Sequence, residues 1–368
     1  MASKNYNVVA FKVVLHCICL AVANSSDLSY PAVFNFGDSN SDTGDLAAGL
    51  GFQLIQPYGQ SYFNASSTGR FCNGRLIVDF LMDAMHMPFL NAYMDSIGLP
   101  NFQKGCNFAA AGSTILAATA ASLCPFSFGI QVSQFIRFKA RVLELLAAGQ
   151  KYKKYVPAED YFNKGLYMLD IGQNDLAGAF YSKTLDQVLA SIPNILLEFE
   201  TGIKNIAKFG VDSSKLDEQG CVSSHNQAAK TFNLQLQALC TKLHGQYPDA
   251  NVTYVDIFTI KSNLISNYSN YGFQQPIMVC CGYGGPPLNY DERVTCGSTK
   301  SLNGTIVTAK SCNDSSVYVS WDGTHYTEAA NQYVASQILT GKYSYPSFSG
   351  KMLIPSLAQV TTTESQSM

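Results

Sequence analysis

With 368 residues, 47% of them hydrophobic and only 14% charged, the chain can bury a sizeable core and carries fewer charges than the usual quarter. A formal net charge of -2 with no basic block gives no electrostatic reason to bind nucleic acid. Past the N-terminus no stretch is apolar for long enough to span a bilayer, so stable membrane insertion is not expected.

The first 23 residues read as an export signal. Lys4 stands in a short polar opening, residues 13–21 are mostly apolar, and Ala21-Val22-Ala23 is a small-x-small cleavage site. Lys12 and His16 interrupt the run, and an ordinary buried helix is the competing reading. Cleavage at this site predicts a soluble, secreted chain. Residues 31–36 follow with alternating apolar side chains, the pattern of a strand. They end in a polar turn, Gly37-Asp38-Ser39-Asn40-Ser41-Asp42-Thr43-Gly44. Residues 131–146 carry Val132, Phe135, Ile136, Val142, Leu143 and Leu146 at helical spacing. A strand over residues 165–171 again runs into a glycine and a polar turn. Helices are expected over residues 184–209, kinked at Pro193, and over 225–244. Residues 251–260 read as a third strand and residues 327–339 as a closing helix. Strands alternating with helices predict an α/β fold, a parallel sheet with helices on both faces. The boundaries expected are a leader over 1–23, one domain over 24–343 and a loosely ordered tail over 344–368, rich in Ser, Thr and Pro.

Export agrees with two further features. Glycosylation sequons begin at Asn64, Asn251, Asn267, Asn303 and Asn313, and are expected on surface loops; a sixth, at Asn24, abuts the cleavage site. Nine cysteines follow the leader: Cys72, Cys106, Cys124, Cys221, Cys240, Cys280, Cys281, Cys296 and Cys312. In an oxidising compartment most should pair, and an odd number leaves at least one over. Their spacing lacks paired C-x-x-C units, so no metal site is expected from them.

Three segments carry chemistry. Ser39 follows a strand, and in open α/β sheets reactive groups collect at the carboxyl ends of strands. A serine hydroxyl is a weak nucleophile without a base beside it, and a lone turn serine is commonly a cap. Trp321-Asp322-Gly323-Thr324-His325 sets a carboxylate near an imidazole, so Asp322 can steady the Nδ1–H of His325 while Nε2 takes the serine proton. An Asp cap ahead of the closing helix explains the same residues without catalysis. Attack on an ester also needs N–H donors for the oxyanion. Asn174, after a strand, could offer its side-chain amide, Gly105 could bring backbone close to a ligand, and the Ser39 N–H is a third candidate.

On these blocks the chain resembles plant esterases of the GDSL family, within the SGNH hydrolase superfamily. Gly37-Asp38-Ser39 with the turn after it matches the first family block and Gly105-Cys106-Asn107-Phe108-Ala109 the second. Gly172-Gln173-Asn174-Asp175 matches the third and Asp322-Gly323-Thr324-His325 the last. Residues 71–80 and Cys280-Cys281-Gly282-Tyr283-Gly284-Gly285 are similar to the early-nodulin and acetylesterase branch. The resemblance implies a flavodoxin-like three-layer sandwich without a metal or organic cofactor. It implies Ser39, Asp322 and His325 as triad, with Ser39, Gly105 and Asn174 as oxyanion donors. It further implies a small-molecule or cell-wall acyl ester as substrate, and an apoplastic or cell-wall location. In relatives a strand and a Gly-Pro-x-Gly-Cys loop follow the helix after the Asn block; here Gly202-Ile203-Lys204 runs directly into Asn205-Ile206-Ala207. One central strand is therefore expected to be missing, and Cys221 to lack the partner that loop would supply. Two other readings stand beside the esterase. One is a fucosidase-like glycosidase using Asp38 with Asp42 or Asp322. The other is a secreted glycoprotein, a splice product without catalysis.

Overall fold

The structure, a computed structural model, describes residues 17–22, 30–64, 68–118, 122–207, 227–246 and 251–347. The expectations for Asn24, Cys221, most of the leader and most of the tail lie outside the described residues.

Six strands form the central sheet: β1 (Cys17–Val22), β2 (Val33–Gly37), β3 (Gly105–Asn107), β4 (Leu166–Asp170), β5 (Asn251–Asp256) and β12 (Ser344–Tyr345), in spatial order β12-β5-β1-β4-β2-β3. β2 pairs in parallel with β3 and β4. β1 is antiparallel to both β4 and β5, which makes β5 parallel to β4. β12 closes the far edge antiparallel to β5.

Alternation along the strands builds two cores. Phe34 and Phe36 of β2, Leu169 of β4 and Tyr254 of β5 enter one cluster; Val33, Met168 and Val255 enter the other. Successive strand residues face opposite sides, so a sheet covered on both faces needs apolar residues at nearly every position. Helices α3 (Phe128–Ala148), α6 (Leu185–Ala207) and α7 (Gln227–Gln246) cover the first face. Helices α2 (Ile77–Ala84), α8 (Ile257–Ser266) and α9 (Glu328–Leu339) cover the second. Short helices α1 (Asp45–Leu50), α4 (Tyr161–Lys164) and α5 (Gln173–Ala179) fill the connections. The result is a three-layer sandwich, as expected.

Small ribbons lie outside the sheet. β6 (Gln275–Val279) pairs with β11 (Tyr318–Ser320), β7 (Cys281–Gly282) with β10 (Lys310–Ser311), and β8 (Thr299–Leu302) with β9 (Thr305–Thr308). Disulfides Cys280–Cys312 and Cys281–Cys296 cross-link them.

Four features depart from the sequence expectations. The strand expected to reach residue 260 stops at Asp256, whose carboxylate accepts from the Thr259 N–H at 2.9 Å and its hydroxyl at 2.6 Å, capping α8. Ser344 and Tyr345, assigned to the tail, form β12. Cys17–Val22, assigned to the leader, forms β1. Cys72, Cys106 and Cys124 are buried thiols rather than bridged, each within hydrogen-bonding reach of a neighbour such as the Arg75 carbonyl for Cys72 and the Ser113 hydroxyl for Cys124. Among the described residues no strand lies between β4 and β5 in chain order; residues 208–226 of that connection lie outside the described residues.

Candidate active site

The strand β2 delivers Ser39 to the carboxyl end of the sheet. Gly37 passes so close to β4 that an added Cβ would lie 2.6 Å from the Asp170 carbonyl oxygen and 2.5 Å from Ser41 Oγ. Only glycine fits there. Gln131 of α3 then fixes the strand end: its Oε1 accepts from the Gly37 N–H at 3.0 Å and its Nε2 donates to the Gly37 carbonyl at 2.8 Å. Beyond it the chain folds back, with the N–H groups of Ser41 and Asp42 donating to the Asp38 carbonyl at 3.1 and 2.9 Å. Ser39 sits at the head of this turn, 6% exposed.

Two buried carboxyls hold the turn. Asp38 Oδ1 accepts from the Asn40 N–H at 3.1 Å, from Asn40 Nδ2 at 2.8 Å and from Gln173 Nε2. Asp42 accepts from the N–H groups of Gly44, Asp45, Leu46 and Ala111, between 2.6 and 3.2 Å. Burial pushes both acids up to about 6, against the pull of these donors and, for Asp38, of the His325 charge.

The imidazole comes from the far end of the chain. His325 Nδ1 lies 2.7 Å from Asp322 Oδ2. Asp322 Oδ1 accepts from the N–H groups of Thr324 and His325 at 2.9 and 2.8 Å, and the Tyr58 hydroxyl donates to Oδ2 at 2.8 Å. Burial raises the Asp322 pKa, but the His325 charge and these donors outweigh it and hold the acid at about 2. The carboxylate is therefore ionised in any ordinary buffer. The ring of Phe71 packs 5.4 Å from the His325 ring. The loop carrying Phe71 is pinned by a buried fork in which Arg70 Nε and Nη2 donate to Asp79 at 2.8 and 2.7 Å. Beneath His325, the Trp321 N–H donates to the His325 carbonyl at 2.8 Å and the Trp321 carbonyl accepts from Cys281 at 2.6 Å. The two disulfides thus brace the loop that presents the imidazole.

Asn174 stands in the first turn of α5, directly after β4. Its Nδ2 donates to the Ser113 carbonyl at 2.9 Å, and Asp175 accepts from the N–H groups of Ile115 and Leu116 at 2.7 and 2.9 Å. The loop that leaves β3 is thereby sewn to α5, next to the turn that bears Ser39.

Gly105 does not join them, and its expected oxyanion role is corrected here. It opens β3 opposite Val33, at the amino end of β2. Gly37, at the other end of β2, is about 13 Å along the strand from Val33 at roughly 3.3 Å per residue, and Ser39 lies past it. A Cβ on Gly105 would collide with the Val33 carbonyl, so the glycine serves close strand pairing. The residue of that block which reaches the site end is Asn107. Its Nδ2 donates to the Ser41 carbonyl at 2.6 Å and to Thr43 Oγ1 at 2.9 Å. Gly112, at φ +75°, lies in the loop between Ala111, which donates to Asp42, and Ser113, which receives Asn174.

Sequence reasoning missed Tyr58, Phe71, Gln131, Gln173 and Lys261. Lys261 of α8 is buried against the Tyr326 ring at 4.2 Å; burial pulls its ammonium down to about 7 although the Asp170 and Asp38 charges oppose this. The one available signal was a polar residue inside an apolar helical pattern. Asn64, Asn267, Asn303 and Asn313 are exposed, whereas Asn251 opens β5 instead of lying in a loop. No helix among the described residues is long and apolar enough to cross a membrane.

Comparison with known proteins agrees with this arrangement. Residues 33–338 match the family model described as GDSL-like lipase/acylhydrolase. An Arabidopsis thaliana protein named GDSL esterase/lipase At1g54790 is 61% identical, covering 93% of this chain and 96% of its own. GDSL esterase/lipase ENOD8 of Medicago truncatula is 39% identical, over 94% and 96% of the two chains. A Hevea brasiliensis protein named esterase is 38% identical, over 94% of each. The first alignment runs over 393 positions against the 368 residues of this chain, so at least 25 of its positions have no counterpart here. With the four blocks in order, the sandwich beneath them and identity along nearly the whole length, the chain belongs to the GDSL family of lipases and acylhydrolases.

Proposed function

We propose that the chain hydrolyses small, acetyl-type carboxylic esters, with Ser39 as nucleophile, His325 as base and Asp322 as its orienting carboxylate. The observation that carries this reading is the 2.7 Å contact between His325 Nδ1 and an Asp322 held ionised, with the His325 charge also felt by Asp38, the neighbour of Ser39 in the chain. Nδ1–H donates to Asp322, which fixes the tautomer and leaves Nε2 free to accept a proton. Ser39 Oγ attacks the ester carbonyl while its proton passes to Nε2. The carbon–oxygen bond to the alcohol breaks, the alcohol leaves with that proton, and an acyl group remains on Oγ. Water then attacks the acyl carbon, giving one proton to His325 and releasing the acid as the proton returns to Oγ.

The oxyanion donors in this reading are the Ser39 N–H, the Asn174 side-chain amide and, in place of Gly105, the Gly112 N–H. Each donor of this kind contributes roughly 3 kcal/mol to the transition state. The exposed sequons and the two disulfides support an exported, apoplastic protein that meets small or cell-wall esters, with residues 1–23 directing export.

Ser39→Ala tests the assignment. The variant should melt like the parent, lose turnover of p-nitrophenyl acetate by on the order of 10³-fold or more, and take no fluorophosphonate label. Parent-like turnover by the variant overturns the reading.

A further inference from the structure

Helix α8 lays Ile257, Ile260 and Leu264 against the second face of the sheet, and Lys261 stands in the same stripe. It follows Ile257 by four residues and precedes Leu264 by three, which puts all three on one side of the helix. Lys261 is fully buried there. An ammonium is costly to bury, and an apolar side chain of the same length would fill the space without that cost. No step of the proposed hydrolysis uses an ammonium.

Two parts of the site meet at this side chain. Lys261 Nζ lies 4.2 Å from the centroid of the Tyr326 ring, a cation over an aromatic face. Tyr326 is buried and follows His325 directly, and it bridges back to Ser320 of β11 across the loop that carries Asp322 and His325. The other part is the end of β4. Met168 enters the second core, so by alternation Asp170, the last residue of β4, faces the side that α8 covers. Asp170 is buried opposite Gly37 in the β2–β4 ladder, and Asp38 and Ser39 follow Gly37 in the chain. Both carboxyls, Asp170 and Asp38, attract the Lys261 charge. One cation therefore stands against the base of the Ser39 turn and against the ring next to His325. These two parts come from opposite ends of the chain, and Ser39 Oγ and His325 Nε2 must come within hydrogen-bonding reach, about 3 Å, for a proton to pass.

We infer that Lys261 is a positioning residue, a buried cationic tie that holds the Ser39 turn and the His325 loop in register. Its kinetic consequence rests on the esterase reading; the tie itself does not.

The test removes the whole charge pair, because Lys261→Met alone leaves a buried carboxyl without its cation and should lower the melting temperature. In the double variant Lys261→Met with Asp170→Asn, melting should return to near that of the parent. Its kcat for p-nitrophenyl acetate should nevertheless fall by roughly 10–100-fold with KM unchanged, since a small misplacement of reacting groups weighs on the transition state. Amide hydrogen exchange over residues 38–45 and over residues 321–327 should both become faster, by on the order of 10-fold. Tyr326→Phe keeps the ring and should behave like the parent. Tyr326→Leu, made on the histidine side, should speed exchange on the serine side, over residues 38–45, and should add little when combined with the double variant. Parent-like kcat or parent-like exchange in the double variant overturns the inference. So does a double variant that still melts low, which would make Lys261 a folding residue, or a Tyr326→Leu effect that adds in full. If the parent itself left the ester intact, the esterase reading would fall, and exchange of the two segments would still decide whether the tie exists.

Discussion

Asp322 draws three N–H or O–H donors and an imidazole onto one buried carboxylate, and this crowding explains both its charge and its task. Asp322→Asn keeps the shape but offers His325 the wrong hydrogen-bond partner, so kcat should fall by about 10⁴ with an unchanged melting temperature. Asn174 and Gly105, equal candidates in sequence, should separate cleanly on substitution. In the proposed mechanism Asn174→Ala removes one oxyanion donor, so it should cost about 10²–10³ in kcat with little change in KM. Gly105→Ala drives a methyl group into the Val33 carbonyl and should instead lower the yield of folded protein. Steady-state kinetics beside a melting curve for each variant checks both. Why the sequence misled about Gly105 is physical. Gly105 and Gly112 flank the same short block, and which one reaches the site depends on the register of β3, a three-residue strand that no periodicity announces. The turns that carry Ser39, Asn174, Asp322 and His325 were legible because each follows a strand or precedes a helix and is rich in small polar residues.

Among the elements, β11 and the loop after it stand on the disulfide-linked ribbons. Cys280 and Cys281 donate their N–H groups to the Ser320 and Trp321 carbonyls at 3.1 and 2.6 Å, so the bridges hold the base of the loop that carries His325. Mild reduction should therefore lower p-nitrophenyl acetate turnover before the far-ultraviolet circular dichroism changes, and reoxidation should restore it. The strands β2 and β4 and the helices α3, α6, α7 and α9 were readable from periodicity because their apolar spacing admits one answer each. The end of β5 was not, since residues 257–260 are as apolar as a strand and only the Asp256 cap turns them into α8. The same ambiguity hid β1, because an apolar run of this length suits a leader and a covered strand equally. Gln131 and Asn107 escaped notice because their partners, Gly37 and Ser41, lie 94 and 66 positions away.

The molecule as a whole carries buried acids whose titration sets its response to pH. Burial lifts Asp38 and Asp42 to about 6 and Asp175 to about 7, above the unfolded value of about 3.9. A raised folded pKa means that the folded chain holds protons the unfolded chain has released. The stability these groups give is complete below about pH 4 and is lost as pH rises through 6 to 7. Asp322 has the opposite sign, and its contribution is lost only as pH falls from about 4 toward 2. The melting temperature should therefore decline between pH 4 and 7. Asp38→Asn, which keeps an acceptor for Asn40 and Gln173, should flatten part of that slope, on the order of 2–3 kcal/mol at most. Calorimetry across that range measures it.

Cys280 and Cys281 are adjacent in sequence, yet their partners stand 32 and 15 residues away. Because neighbouring thiols reach nearly the same space, exchanging the two partners costs little loop entropy, so oxidation alone selects poorly between native and scrambled pairings. Recombinant protein made without a disulfide isomerase should contain a scrambled fraction, identical in mass and resolved only by peptide mapping under non-reducing conditions.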